Sequence, residues 1–367
     1  MREIWLAMIC WGIGLGAAIG AEPAKGLPCI VVSADGKGFV EEGTGKEFRP
    51  WGFNYDHDEK GRLIEDYWHE EWEKVAGDIR EMKALGGNVV RLHLQVGKFL
   101  SGPSEANEKE LVQLEKFVAL AEEVGLYLDV TGLGCYHKKD VPAWYDEMSE
   151  EDRWKTQAFF WKTIAGRVGK SPAIFCYDLM NEPISPAGKR GEKDWLGPAF
   201  GDKHFVQMIS LDDRGRPRVE IARAWIKQLT QSIREVDKKH LVTVGMVDWS
   251  LDRPGLTSGF VPSKLVEELD FLCVHLYPEK GKLKEGFETV AGFALGKPVV
   301  IEETFPLKCS VEEAMEFLQS DKNRAVGAIS FYWGKDLTEM QKSSELVDKV
   351  ILAWLEKFTQ GKRLSGN

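Results

Sequence analysis

Ile174-Phe175-Cys176-Tyr177-Asp178-Leu179-Met180-Asn181-Glu182-Pro183 decides how this chain folds. An apolar run of this length reads as a buried strand. It closes on an amide, a carboxylate and a proline, and proline cannot continue a buried ladder. Asn181 and Glu182 therefore stand at the carboxyl end of a strand, where α/β barrels and open α/β sheets keep their chemistry. The pattern returns far downstream, where Lys297-Pro298-Val299-Val300-Ile301 runs into Glu302-Glu303. Two separate strands thus finish in glutamate.

Outward from these two runs, strand-like segments alternate with amphipathic helical ones. Strands are expected at Trp51 to Asn54, Asn88 to Leu92, Tyr127 to Val130, Ile174 to Leu179, Leu241 to Gly245, Phe271 to Leu276, Val299 to Glu302 and Ala328 to Tyr332. Helical periodicity is clearest over Trp72 to Leu85, Leu111 to Val124, Arg153 to Val168, Val219 to Asp237, Val311 to Leu318 and Leu346 to Phe358. Eight strands with helices between them predict an α/β fold, a single-domain (β/α)8 TIM barrel over residues 22–367, with a doubly wound open sheet as the alternative. Ser185 to Leu211 and Asp248 to Gly259 fit neither pattern and read as long loops at the catalytic end.

The 367 residues suit one barrel, and a formal charge of −10 without a Lys/Arg run argues against nucleic acid as partner. Thirteen Trp and eight Tyr offer flat faces suited to sugar rings, although most are expected in the core. At the amino end Arg2, the apolar run Leu6 to Ile19 and the small residues before Glu22 read as a signal peptide over residues 1–21, with an uncleaved anchor as the alternative. That predicts a secreted or periplasmic protein, with no span in the mature chain. Cleavage leaves five cysteines, an odd number. Cys176 and Cys273 fall inside strands as small core hydrophobes. A monomer is expected.

Lining up the strand ends gives Arg91-Leu92-His93 on the second, Asn181-Glu182 on the fourth, His275-Leu276-Tyr277 on the sixth, Glu302-Glu303 on the seventh and Phe331-Tyr332-Trp333 on the eighth. With these five ordered motifs the chain resembles the family 5 glycoside hydrolases of the clan A barrel superfamily, over nearly all of its mature length. The resemblance implies Glu182 as acid/base and Glu303 as nucleophile. It also implies Asn181 on the sugar 2-hydroxyl, Arg91 and Tyr277 on the nucleophile, His275 beside the acid/base and Trp333 as floor of the cleavage subsite. The chain departs from the family pattern on strand three, where Thr131-Gly132 replaces an expected histidine. Tyr136 and His137 are the candidates to take over that function.

The chemistry asks for the same types. A retaining glycosidase needs one protonated carboxyl and one ionised carboxylate about 5 to 5.5 Å apart. Arg91 and Tyr277 are expected to lower the nucleophile's pKa, and Glu182, with a carboxylate near and no cation of its own, is expected to hold its proton. Glu302 and Glu303 should face opposite ways along the strand, so Glu302 is either the alternative nucleophile or a salt-bridged barrel residue. His93 shares the Arg91 side and is either a substrate contact or a satisfied core histidine. No metal and no organic cofactor are required. A metal-dependent hydrolase built on His93, Asp129, His137 and His275 lacks a His-x-His on strand one. The sequence thus predicts hydrolysis of a β-linked oligo- or polysaccharide, a β-1,4-glucan or mannan, with a secreted carbohydrate-binding barrel that has lost catalysis as the rival. Trp195, Phe200, Phe205 and Trp249 are expected to stack on sugars or pin the loops, and Asp248 or Asp252 to read hydroxyls.

Overall fold

The computed structural model describes residues 26–364; the expected signal peptide, 1–21, lies outside them. Eight parallel strands close into a barrel: β1 Trp51–Tyr55, β2 Val89–Gln95, β3 Tyr127–Gly134, β4 Ile174–Asn181, β5 Leu241–Val247, β6 Leu272–His275, β7 Val299–Thr304 and β8 Gly327–Ser330, with β8 pairing back onto β1. The open-sheet alternative is thereby set aside. Each strand leads in turn to one of the helices α1 Trp72–Ala84, α2 Glu108–Val124, α3 Glu150–Val168, α4 Arg218–Arg234, the single turn α5 Pro262–Leu265, α6 Leu283–Phe293, α7 Val311–Gln319 and α8 Leu346–Leu364, with shorter helical turns in the loops. Among the described residues no helix is long and apolar enough to cross a membrane.

The caps explain why α2 and α3 begin earlier than hydrophobic periodicity alone predicts. Asn107 accepts a bond from the Lys109 amide and Ser149 from the Asp152 amide, at 3.2 Å each. Acidic residues fill both first turns, where the helix dipole favours them. Ser310 and Glu313 form a reciprocal capping box at the start of α7. Once started, a helix such as α4 turns Ile221, Ala222, Trp225, Ile226, Leu229 and Ile233 onto the barrel wall.

A three-stranded antiparallel sheet, Ile30–Val32, Phe39–Glu41 and Glu47–Phe48, caps the amino-terminal end of the barrel. Its Phe39 meets Phe175 and Phe271 edge-on, both at 5.1 Å, and Phe48 meets Tyr127 at 4.9 Å. Val89, Cys176, Cys273, Val300 and Ile329 fill the lumen above this plug. Both strand cysteines are thus buried free thiols, as expected. Polar groups that hold the site crowd the opposite, carboxyl end.

Candidate active site

The adjacent glutamates of β7 overturn the expectation that they face opposite ways. The register between β6 and β7 slips after Val274, so that His275 pairs with Glu303, and a second slip separates β7 from β8. A bulge re-aims side chains, and bulges favour active sites. Here both carboxylates reach Arg91: its Nη1 donates to Glu303 Oε1 at 2.5 Å, and its Nη2 lies 3.7 Å from Glu302 Oε2.

Arg91 is the hub of the lumen. It also donates to Asn54 Oδ1 at 3.0 Å, Asp178 Oδ2 at 2.7 Å and Asn181 Oδ1 at 2.9 Å. Asp178 is fixed further by the Thr131 hydroxyl at 2.8 Å and the Gly245 amide at 2.7 Å. Thr131, where a histidine was expected, thus serves the barrel interior. Gly245 leaves the room this cluster needs. A Cβ there would stand 2.8 Å from His275 Nε2, 2.9 Å from Glu302 Oε2 and 3.0 Å from Arg91 Nη2.

Glu303 also accepts a bond from the Tyr277 hydroxyl at 2.7 Å. Burial nevertheless raises its carboxyl above the ordinary value, outweighing the pull of His275 and Arg91. The expected lowering is therefore not what the site produces, because so little water reaches this carboxylate. Glu302 goes the other way. Burial opposes its charge, but Arg91 and the His275 bond prevail and hold it near 2. Beside it, burial and the Glu302 charge push Asp129 well above the carboxylate range, which favours its protonated form.

Glu182 follows β4 with a left-handed φ of 46°, uncommon for a residue with a side chain, and its amide donates to Gly245 O at 2.9 Å. His275 stands beside it, as the resemblance implies, with Nδ1 3.1 Å from Glu182 Oε1 and 3.5 Å from Glu303 Oε2, so that Glu182, expected to have no cation of its own, does have one. The other nitrogen, Nε2, lies 3.2 Å from Glu302 Oε2. With carboxylates at both nitrogens the ring is doubly protonated. Burial works against that charge, but Glu303, Glu182 and Glu302 lift its pKa to about 10. Access differs between the two carboxylates, with 19% of the Glu182 side chain exposed against 7% for Glu303. One oxygen of each and a His275 ring nitrogen all lie within 4.8 Å of one another. Among the described residues this is the one acidic or histidine cluster compact enough for a metal. The Arg91 cation on Glu303 already neutralises charge there.

The structure brings Arg91, Asn181, Glu182, His275, Tyr277 and Glu303 together and leaves others outside. His93 donates through Nε2 to Asn54 Oδ1 at 3.0 Å and accepts the Tyr136 hydroxyl at Nδ1 at 2.6 Å, which is the satisfied-core arrangement. Burial and Arg91 keep it neutral. His137 sits between Asp140 and Asp202, at 3.4 and 3.3 Å, rather than in the cluster. Trp333 is 0% exposed and edge-on to Phe53 at 5.4 Å, so it offers sugars no face. The half-buried ring beside the site is Phe331, 6.4 Å from Tyr277 and 6.2 Å from Phe205. Trp195 is buried and pins its loop by donating to Asp146 at 2.9 Å. Trp249 is half-buried next to the exposed Asp248, while Phe200 projects into solvent. The sequence reading passed over Asn54 and Phe331 and gave Asp178 no role. Asp178 follows Cys176 by one pleat, a spacing that marks it as lumen-facing.

Comparison with known proteins bears on the family and the fold. The profile described as cellulase (glycosyl hydrolase family 5) matches residues 42–334. A mannan endo-1,4-β-mannosidase A of Podospora anserina is 23% identical over 223 residues, 55% of this chain and 51% of that protein. A probable mannan endo-1,4-β-mannosidase A of Aspergillus flavus is 23% identical over 266 residues, 65% of this chain and 61% of the other. The matched stretch thus spans only about half to three-fifths of these relatives. Among solved structures, an exo-β-1,4-mannosidase of an Opitutaceae bacterium superposes with a TM-score of 0.65 at 18% identity, covering 91% of this chain and 62% of that one. An endo-1,4-β-mannanase of Eisenia fetida gives 0.63 at 17%, covering 90% and 95%. At such identities these structures speak for the fold.

Proposed function

The chain belongs to glycosyl hydrolase family 5, and on that premise we propose that it hydrolyses β-1,4-mannosidic bonds with retention of configuration. The observation that carries the reading is the pair of carboxyl groups delivered by β4 and β7, with oxygens within 4.8 Å. That spacing favours direct attack over the wider arrangement that leaves room for an intervening water. Glu182, the more open group, protonates the glycosidic oxygen as the bond to C1 breaks. Glu303, aimed by Arg91 and Tyr277, attacks C1 and forms a glycosyl ester. Glu182 then takes a proton from water, which attacks C1 and releases Glu303. His275 Nδ1, bonded to Glu182 Oε1, holds the orientation of that carboxyl group. Asn181, bonded by Arg91 at 2.9 Å, binds the sugar 2-hydroxyl in this reading, and Phe331 packs on its ring.

Mannose is favoured over glucose because the curated relatives and the two solved structures carry mannan- or mannoside-cleaving names. The apolar run Leu6 to Ile19 supports export toward such a glycan. Proton NMR of the hydrolysis of an aryl β-mannoside tests the mechanism. The β anomer is expected first, with no change on adding chelator, and an α anomer appearing first would refute retention. Faster turnover of the matched β-glucoside would refute the preference for mannose.

A further inference from the structure

The loop between β4 and α4 stands over strands other than its own. Pro183–Ile184 pairs with Gln207–Met208, and the residues between run out across the mouth. Gln207 Nε2 donates to Leu133 O at 2.7 Å, and the His204 amide to Tyr136 O at 2.8 Å. Both acceptors lie at or just beyond the end of β3. Farther out, the buried Lys203 reaches the loop after β1, where its ammonium would stand 3.0 Å from a side chain at Gly61. Phe205 packs on Tyr136 at 5.0 Å, faces Phe331 after β8, and accepts a bond from Asn181 through its carbonyl at 3.0 Å. Tyr136 is fully buried beneath this span. The loop after β5 has no such role. Asp248 and residues 252–256 are exposed, and Trp249 is half-buried.

The chemistry assigns a substrate direction to these two sides. A general acid stands beside the group that leaves, and Glu182 lies on the β5 side, its amide bonded to Gly245 O at 2.9 Å. The leaving sugars therefore depart over β5. The sugar bonded to Glu303 would then lie over Phe331 and continue toward Phe205 and Lys203, where the β4 loop meets the loop after β1. Asp56, just after β1, is 1% exposed, with Oδ2 on His57 at 2.8 Å and Oδ1 without a partner in the protein. A buried acceptor left unpaired is costly, and the hydroxyl of a terminal sugar would satisfy it.

We propose that the β4 loop closes the glycone side of the cleft into a blind pocket, so that the protein shortens β-linked chains from their non-reducing ends in fixed steps. This rests on the assignment of Glu182 and Glu303 made above. The wild-type protein tests it with soluble β-1,4-mannan and with mannohexaose tagged at its reducing end. Reducing ends are expected to accumulate while viscosity hardly changes, and the tagged oligosaccharide to shorten by one constant increment. A steep early fall in viscosity, with tagged products of mixed length from the outset, would overturn the pocket and leave the glycosidase reading intact. No turnover of mannan or of aryl β-mannoside and β-glucoside would overturn both. Replacing residues 198–204 by a short glycine spacer should introduce products of mixed length. If that variant keeps the native circular dichroism and still cuts in constant steps, the loop is not the barrier.

Discussion

Along β2, β4, β6 and β7, one two-residue step separates two media inside the same barrel. Val89, Cys176, Cys273 and Val300 belong to the apolar lower lumen, closed from below by Phe39 and Phe48. One pleat higher on the same strands stand Arg91, Asp178, His275 and Glu302, all at or near zero exposure. The difference teaches that the barrel does not place charge by access to water. It places charge where other charges and fixed dipoles answer it, and seals the opposite end with aromatic rings. Buried ions survive only when paired in this way.

Altering the upper layer at its reacting edge should have the largest effect. Glu303→Ala is expected to lower kcat on aryl β-mannoside by about 10^4-fold or more, as losses of covalent nucleophiles do. Azide should restore part of the rate by entering from the vacated side and giving an inverted glycosyl azide. Full activity in Glu303→Ala alongside an inactive Glu302→Ala would exchange the two assignments. Glu182→Ala should follow, losing about 10^2- to 10^4-fold on substrates with poor leaving groups. An activated aryl glycoside should still form the ester quickly and then stall, so equal losses on both would remove the acid/base role.

The lower layer should respond in stability alone. Phe39→Ala deletes the ring that joins the plug to Phe175 and Phe271. It is expected to cost about 3–5 kcal/mol by urea unfolding and to leave kcat unchanged. A comparable loss of kcat would mean that the two layers are not independent. The subtlest test crosses the boundary between them. His275 has a folded-state pKa of about 10 against an ordinary 6.5, so its contribution to stability is complete below pH 6.5 and lost as pH rises through 10. Glu302→Gln removes one of the charges that lift it. The alkaline decline, which sets in near pH 6.5 in both proteins, should then end at a lower pH, with a slope of at most about 1.4 kcal/mol per pH unit from this group. An unchanged unfolding profile between pH 7 and 10 would show that Glu302 does not hold the imidazolium.

The barrel was legible because each strand is a short apolar run and each strand end carries its own polar signature. That two strands end in glutamate was legible from position, while the choice of Glu182 and Glu303 came from the family resemblance. What escaped depended on neighbours that a linear reading cannot supply. That Glu302 and Glu303 both reach Arg91 depends on a slip against β6. The choice among Phe331, Tyr332 and Trp333 turned on β8 ending at Ser330, two residues before its expected limit. The helix α6, which carries Gly286 and Gly292, is absent from the expected helices. In the fold these glycines admit Phe317 and Leu251, which would stand 2.9 and 2.8 Å from any Cβ there. Burial, finally, reversed the expected direction for Glu303, since no sequence pattern reports how little water reaches a side chain.

The antiparallel plug also fixes an orientation. Its first strand begins at Ile30, and the carbonyl of Pro28 accepts a bond from Tyr127 at 2.7 Å, on the face farthest from Glu182 and Glu303. A tether joined to residue 26 would thus hold the protein by its base. Coupled to a bead through that end, the molecule would present its mouth outward to a dissolved polymer.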